Sequence, residues 1–175
     1  MPDFNLKRRR LLGGTALGIA ATQMPFIGNA YANPLQSDRL ASMKPLKYVK
    51  AGVLNIAYYE AGPAHGPVVL LLHGYPYDIH SYIDVAALLA ARGCRVIVPH
   101  LRGHGGTTFL DSSTLRTGQQ SAVALDIIAL MDALQIKRAL MAGYDWGART
   151  ACIIAALWPE RCLGLLSVNG YLIQN

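Results

Sequence analysis

The stretch Gly143-Tyr144-Asp145-Trp146-Gly147 decides the fold of this chain. It lies between an apolar, strand-like run at 138–142 and a helix-like run at 148–157. A sharp strand-to-helix turn lifts its central side chain above the sheet, and small residues flank that side chain because the backbone there is strained. These five residues, called the elbow below, therefore predict that Asp145 is presented above a sheet.

The side chain at the centre of the elbow is a carboxylic acid. A carboxylate is already ionised at neutral pH, so Asp145 needs no base in order to attack. Such a nucleophile suits displacement at a saturated carbon, as in an epoxide or a carbon–halogen bond, and leaves an ester that water must hydrolyse. An Asp in an ordinary tight turn is the plainer interpretation. The strand-to-helix setting and the helix N-terminus, which stabilises a carboxylate, favour the nucleophile.

Strand-like and helix-like runs alternate along the rest of the chain at the spacing of βαβ units. This alternation predicts an α/β fold with a mostly parallel sheet flanked by helices. The predicted strands are 47–50, 53–59, 68–72, 95–98, 139–142 and 163–168, and the predicted helices are 81–92, 119–134 and 148–157.

Three motifs carry a resemblance to a known family. They are His73-Gly74-Tyr75-Pro76, Arg102-Gly103-His104-Gly105-Gly106 and the elbow, and each follows an apolar, strand-like run. From about residue 46 onward, the chain resembles the N-terminal part of an epoxide hydrolase or dehalogenase of the α/β-hydrolase fold. The resemblance implies that the cap domain, the last strands, the late acid and the late catalytic His of the family would all lie beyond residue 175.

The same resemblance implies roles for the motif residues. Asp145 would be the nucleophile, and the backbone N–H groups of Tyr75 and Trp146 would form the oxyanion hole of the ester-hydrolysis step. The remaining motif positions would be structural, namely His73, Gly74, Pro76, Gly143 and Gly147. No cofactor and no metal are implied, and the expected partner is a small-molecule substrate, an epoxide or an organohalide.

A dehalogenase is the alternative class of enzyme, and the residues at positions 146 and 149 are the reason to consider it. Trp146 could bind halide through its indole N–H, although lining the pocket is the plainer role. The aromatic residue at position 75 resembles what epoxide hydrolases have after the His-Gly pair. Fluoroacetate-type dehalogenases carry two arginines at the elbow, and only the second has a counterpart here, Arg149. An exposed or salt-bridged arginine is expected at that position, with substrate contact as the further candidate role. His100 stands where the family often has Asp.

Residues 1–32 have the pattern of an export signal. Four basic residues at 7–10 precede an apolar, Gly/Ala-rich run from Leu11 to about Ile27, and Ala30-Tyr31-Ala32 offers a small-x-small cleavage site. The paired arginines resemble a twin-arginine signal. The expected organisation is a signal peptide at 1–32, a linker at 33–45 and the N-terminal part of a hydrolase domain at 46–175. Export to the periplasm is expected, with membrane contact only through the leader; an uncleaved membrane anchor is the alternative.

Composition and charge restrict the remaining function classes. Hydrophobic residues are 53% and charged residues 15% of the chain, which predicts a folded core. The leader supplies +3 of the net charge of +6, and the other basic residues are scattered without a stripe. Nucleic-acid binding is therefore not expected.

The histidine inventory limits what the chain can do by itself. None of the five histidines follows the elbow, so the base that should activate water cannot be named from the sequence. The expectation is an epoxide hydrolase that is incomplete and inactive as this chain. The non-enzymatic alternative is an inactive fragment, or a half-domain that binds a partner.

Overall fold

The computed structural model describes residues 43–170, so the predicted leader and most of the predicted linker lie outside the described residues. Seven strands of the described residues form one sheet. They are β1 (Lys47–Ala51), β2 (Leu54–Ala61), β3 (Val68–Leu72), β4 (Arg95–Pro99), β5 (Thr108–Phe109), β6 (Ala139–Tyr144) and β7 (Cys162–Val168).

The sheet is mixed, and its parallel part positions the site. The strand order is β1-β2-β4-β3-β6-β7, with β5 paired to β2. The pairs β4–β3, β3–β6 and β6–β7 are parallel, whereas β2 pairs antiparallel with β1, β4 and β5. Since β4, β3 and β6 run in the same direction, the loops that follow them meet at one edge of the sheet, where ligands bind in open α/β sheets.

Between residues 43 and 170, three helices and two short 3₁₀ turns connect the strands. They are the 3₁₀ turn Ile79–Tyr82, α1 (Ile83–Ala91), α2 (Gln120–Ala133), α3 (Trp146–Leu157) and the 3₁₀ turn Pro159–Arg161. The elbow helix α3 begins two residues earlier than the sequence predicted. The helix predicted over 81–92 corresponds to the end of the first 3₁₀ turn followed by α1. The Asp78 side chain accepts a hydrogen bond from the His80 N–H and caps that turn.

Successive side chains of β3 pack into two separate hydrophobic cores, one on each face of the sheet. Leu70 and Leu72 pack with residues of α2 and α3, whereas Leu71 packs with Ile79 and with Ala86 of α1. These three leucines are at most 1% exposed. Each such burial stabilises the fold by about 1.5–3 kcal/mol. The central strand is thereby fixed on both faces, and the loop that follows it starts from a rigid base.

Within residues 43–170, none of the helices combines the length and the hydropathy that crossing a lipid bilayer requires.

Candidate active site

The elbow is a strained strand-to-helix turn with Asp145 at its apex. β6 ends at Tyr144, α3 begins at Trp146, and Asp145 between them has φ 49° and ψ −116°. A positive φ is uncommon for a residue other than Gly and is a recurrent feature of functional sites. A Cβ at Gly147 would overlap the Leu72 carbonyl, and one at Gly143 would overlap the backbone of Gly147. Both glycines are therefore required by the close approach of α3 to β3 and β6.

The Asp145 carboxylate is held from two sides. Its Oδ2 accepts a hydrogen bond of 3.0 Å from the backbone N–H of Tyr75. Its Oδ1 lies 3.9 Å from Nη2 of Arg149, one helical turn along α3. The carboxylate also sits at the N-cap of α3, where the helix dipole stabilises negative charge. With 26% of the side chain exposed, the group remains accessible to a small molecule.

Gly74 lets the loop after β3 approach the elbow. A Cβ at Gly74 would lie 2.7 Å from the Tyr144 ring and 2.8 Å from the Asp145 Cβ, distances that real Cβ atoms essentially never show. The tight packing explains why Gly stands directly before the residue whose N–H reaches Asp145.

His73 joins the loops that follow β3 and β4. It is fully buried, and its Nε2 accepts a 3.1 Å hydrogen bond from the Leu101 N–H. Because Nε2 accepts, the ring proton is on Nδ1, which donates to the Gly74 carbonyl at 3.1 Å. Burial lowers the pKa of His73 to about 4, so the ring is neutral at pH 7. His73 thus holds the backbone of the Tyr75 loop in place, and both of its ring nitrogens are engaged in doing so.

Two further histidines lie beside His73. The His104 ring centroid is 4.8 Å away and the His100 centroid 6.4 Å away. His100 is buried against Gly105, and burial lowers its pKa below the ordinary value. An imidazole that is neutral at pH 7 therefore replaces the acid that the family often has at this position.

Tyr144 connects the elbow to the 3₁₀ turn that precedes α1. Its hydroxyl donates to Ser81 Oγ at 2.9 Å, and Ser81 Oγ donates to the Asp78 carbonyl at 2.7 Å. The Tyr144 ring also lies 5.7 Å from the ring of Tyr82. Sequence reasoning assigned Tyr144 no role. Its place next to Asp145 in the elbow was the available signal.

Arg102 fixes the loop after β4 to the N-terminal half of α2. Its guanidinium makes two hydrogen bonds to the Asp126 carboxylate, at 2.6 and 2.7 Å. It also donates to the carbonyls of Thr117 and Ala122. Burial raises the pKa of Asp126, and the guanidinium opposes that shift. This buried bidentate pair, which the sequence did not predict, shapes the wall of the neighbouring cavity.

A cavity of about 340 Å³ lies beside the elbow. Its lining is mostly apolar and aromatic and consists of Tyr75, Leu101, Arg102, His104, Gly118, Val123 and Trp146. It is of the size that takes a small organic group. Among residues 43–170, no three His, Cys, Asp or Glu side chains are grouped so as to hold a metal ion.

A carboxylate on a strained strand-to-helix turn, facing a backbone N–H from the loop after the neighbouring parallel strand, defines the class as an α/β hydrolase. The family model described as alpha/beta hydrolase fold matches residues 67–175. The chain belongs to the α/β-hydrolase fold family and is epoxide hydrolase-like.

The chain is similar to proteins named as epoxide hydrolases. Epoxide hydrolase 3 of Siraitia grosvenorii is 32% identical over 127 residues, which are 73% of this chain and 40% of the relative. An epoxide hydrolase of Caballeronia sordidicola is 32% identical over 130 residues, 74% of this chain and 38% of the relative. A crystal structure of a candidate epoxide hydrolase from Klebsiella pneumoniae is 57% identical with a TM-score of 0.74, covering 78% of this chain and 45% of that one. The chain spans about two fifths of the length of these curated relatives.

Proposed function

We propose that the protein hydrolyses epoxides through an ester of Asp145. In the first step Oδ1 of Asp145 forms a bond to a ring carbon of the epoxide, and the C–O bond at that carbon breaks. The ring oxygen stays on the neighbouring carbon, keeps the electron pair of the broken bond and takes up a proton from water. The observation that carries the proposal is the hydrogen bond from the Tyr75 N–H to Oδ2. It orients the carboxylate with one oxygen bound to the loop and the other directed away from it.

The second step hydrolyses the ester. Water adds to the ester carbonyl carbon, and negative charge develops on the oxygen that the Tyr75 N–H already contacts at 3.0 Å. The N–H of Trp146, the first residue of α3, has no acceptor within the helix and supplies a second donor. Collapse of the adduct releases a diol and restores Asp145.

The base of the second step is proposed to lie outside the described residues. Within residues 43–170, neither a hydrogen bond nor an ion pair joins a histidine to Asp145, and the ring nitrogens of His73 are both occupied. The described part of the chain thus carries the alkylation step. A residue outside it would carry the proton transfer that frees the enzyme.

A dehalogenase with the same nucleophile is the second candidate. The guanidinium of Arg149 lies 3.9 Å from the Asp145 carboxylate and 5.6 Å from the Trp146 ring centroid. A cation at this place would stabilise a departing halide or the carboxylate of a haloacid. The names of the relatives favour the epoxide, since those compared above are all epoxide hydrolases or a candidate one.

Alkylation of Asp145 tests the proposal directly. The full chain is incubated with styrene oxide, and peptides are mapped by mass spectrometry. We expect an adduct on Asp145 of at most about one per chain, because each chain carries one Asp145 carboxylate. Asp145→Asn should lower adduct formation by about a thousandfold or more, since a neutral amide is a poor nucleophile.

The exposed acid Asp111 provides the matched control. Asp111→Asn should keep the adduct. An undiminished adduct in Asp145→Asn, or labelling at another residue only, would remove the nucleophile from the proposal. If the chain releases halide from 1-bromobutane or chloroacetate and is not labelled by styrene oxide, the proposed function is that of a dehalogenase and not of an epoxide hydrolase.

A further inference from the structure

We propose that the cavity beside the elbow is a subsite for a small apolar group that carries a hydroxyl, and that His104 accepts the hydrogen bond of that hydroxyl. This inference rests on the proposed function, because it assigns the cavity to one arm of the epoxide substrate. The substrate class is then an epoxide whose substituent is a single ring or a short chain bearing a hydroxyl.

The position of the cavity connects it to the reaction. Two of its lining residues are neighbours of the Asp145 carboxylate. Tyr75, in the loop after β3, donates its N–H to that carboxylate, and Trp146 follows Asp145 as the first residue of α3. A group seated between these two side chains is next to the reacting atoms. The volume of about 340 Å³ is at the lower end of the range for ligand pockets, which limits the group to about one ring.

The tautomer of His104 defines the polar contact inside the cavity. Its Nδ1 lies 3.1 Å from the Arg102 carbonyl oxygen. A carbonyl oxygen only accepts, so Nδ1 carries a proton and donates it, and in this tautomer the other ring nitrogen, Nε2, is the acceptor. An acceptor selects ligands that donate, such as a hydroxyl.

The other lining residues supply apolar walls or have their polar atoms engaged. Leu101 and Val123 are 5% and 4% exposed and form an apolar floor. The guanidinium of Arg102 is bonded to Asp126 and to two backbone carbonyls, so it is not available to a ligand. Tyr75 is 69% exposed, which places its phenol at the solvent-facing rim.

The test measures binding without turnover, using benzyl alcohol and benzyl methyl ether as probes of one size that differ in the hydroxyl donor. The full chain is titrated with each probe, and the indole N–H signal of Trp146 is followed by NMR, assigned with Trp158→Phe. We expect saturable shifts with both probes and about fivefold tighter binding of the alcohol, the effect of one hydrogen bond.

Two variants separate the hydrogen bond from the cavity. His104→Phe keeps a ring but removes the acceptor, and should abolish the preference for the alcohol. Gly118→Leu should abolish binding of both probes, because Gly118 lines the cavity and the added side chain would compete with them for its space. A Cβ at Gly118 meets no atom within 4 Å, so the substitution displaces no neighbour at that atom. His65→Phe, in an exposed loop, is the control that should change neither result.

Three results would overturn the subsite: no saturable shift in the folded wild-type chain, binding that persists in Gly118→Leu, or an alcohol preference that survives in His104→Phe. The last would assign the hydrogen bond to another group, such as the Tyr75 phenol. The two proposals fail in different experiments. If the proposed function is wrong, Asp145 is not alkylated by styrene oxide, but the probes still bind. Probe binding can likewise be absent while Asp145 is alkylated.

Discussion

At the scale of single residues, the neutral state of His73 links the site to folding. Its two ring nitrogens bond to backbone groups that follow two different strands, and only the neutral ring can both accept from Leu101 and donate to Gly74. Protonation would place a second proton on Nε2, facing the Leu101 N–H. The geometry of the Tyr75 loop therefore depends on keeping this imidazole uncharged.

Stability should consequently fall with acidification. The pKa of His73 is lowered by burial from 6.5 to about 4, so between these values the unfolded chain binds a proton that the folded chain does not. The free energy of unfolding then decreases as pH falls from about 7 to 4, by at most about 3 kcal/mol for this group. Thermal unfolding followed by circular dichroism at pH 7.5 and 4.5 measures the loss.

The variant His73→Gln should be less stable at pH 7.5 and should lose less stability on acidification than the wild-type chain. His65→Gln, at an exposed position, should behave as wild type. His100 adds to the same trend, because burial lowers its pKa too. An equal acid-induced loss in wild type and His73→Gln would contradict the role given to His73.

Side-chain partners were the part of the site least accessible to sequence reasoning. Asp145 and the Tyr75 N–H were predicted because the elbow and the His-Gly motif are local patterns. The contacts of Tyr144 with Ser81 and of Arg102 with Asp126 join residues 63 and 24 positions apart. No local pattern specifies which loops meet across the sheet edge, so these contacts required the structure.

At the scale of elements, the Tyr144–Ser81 hydrogen bond ties β6 to the loop that carries the Tyr75 N–H. The bond continues from Ser81 to the Asp78 carbonyl, so the elbow and the loop are braced against each other. Positioning of this kind affects the rate of the chemical step more than substrate affinity, because small misplacements of reacting groups are costly.

Removing the hydroxyl tests this brace. If Asp145 is alkylated as proposed, Tyr144→Phe should lower the saturating rate of alkylation about fivefold and leave the half-saturating epoxide concentration unchanged. Ser81→Ala should do the same, and the double variant should be no slower than either single variant. Mass spectrometry of the Asp145 peptide against time gives both parameters.

Tyr77→Phe is the matched control within the same aromatic cluster, since the Tyr77 ring lies 6.5 Å from that of Tyr144. It should leave both parameters at wild-type values. Additive losses in the double variant would show that Tyr144 and Ser81 act separately and would contradict the brace.

Element boundaries were predictable where burial produces a clear pattern. The run Val68–Leu72 was predicted with its observed limits, because a strand buried on both faces is continuously apolar. The two-residue β5 was not predicted, since Thr108–Phe109 is too short to show a period. Its pairing with β2 depends on tertiary contacts.

At the scale of the whole molecule, the outermost strand β7 exposes four large apolar side chains. Leu163, Leu165, Leu166 and Val168 are 38–62% exposed, in contrast to the leucines of β3. In the described sheet order β7 pairs with β6 only. An exposed apolar edge strand favours association with other chains, so every measurement above should be made at low protein concentration with the oligomeric state monitored.

Export is the remaining proposal at this scale, and it concerns the leader ahead of the described residues. Four consecutive basic residues at 7–10, a Gly/Ala-rich run of moderate hydropathy and the sequence Ala30-Tyr31-Ala32 predict cleavage after Ala32. N-terminal sequencing of chain isolated from the periplasm of a bacterial host should begin at Asn33. Replacing Arg8, Arg9 and Arg10 by Lys keeps the charge but removes the paired arginines, and should leave uncleaved chain in the cytoplasm if the twin-arginine route is used. Membrane-bound chain that still begins at Met1 would instead establish an uncleaved anchor. In that case the apolar run would insert stably into the membrane despite the glycine and polar residues at 13–15 and 22–23.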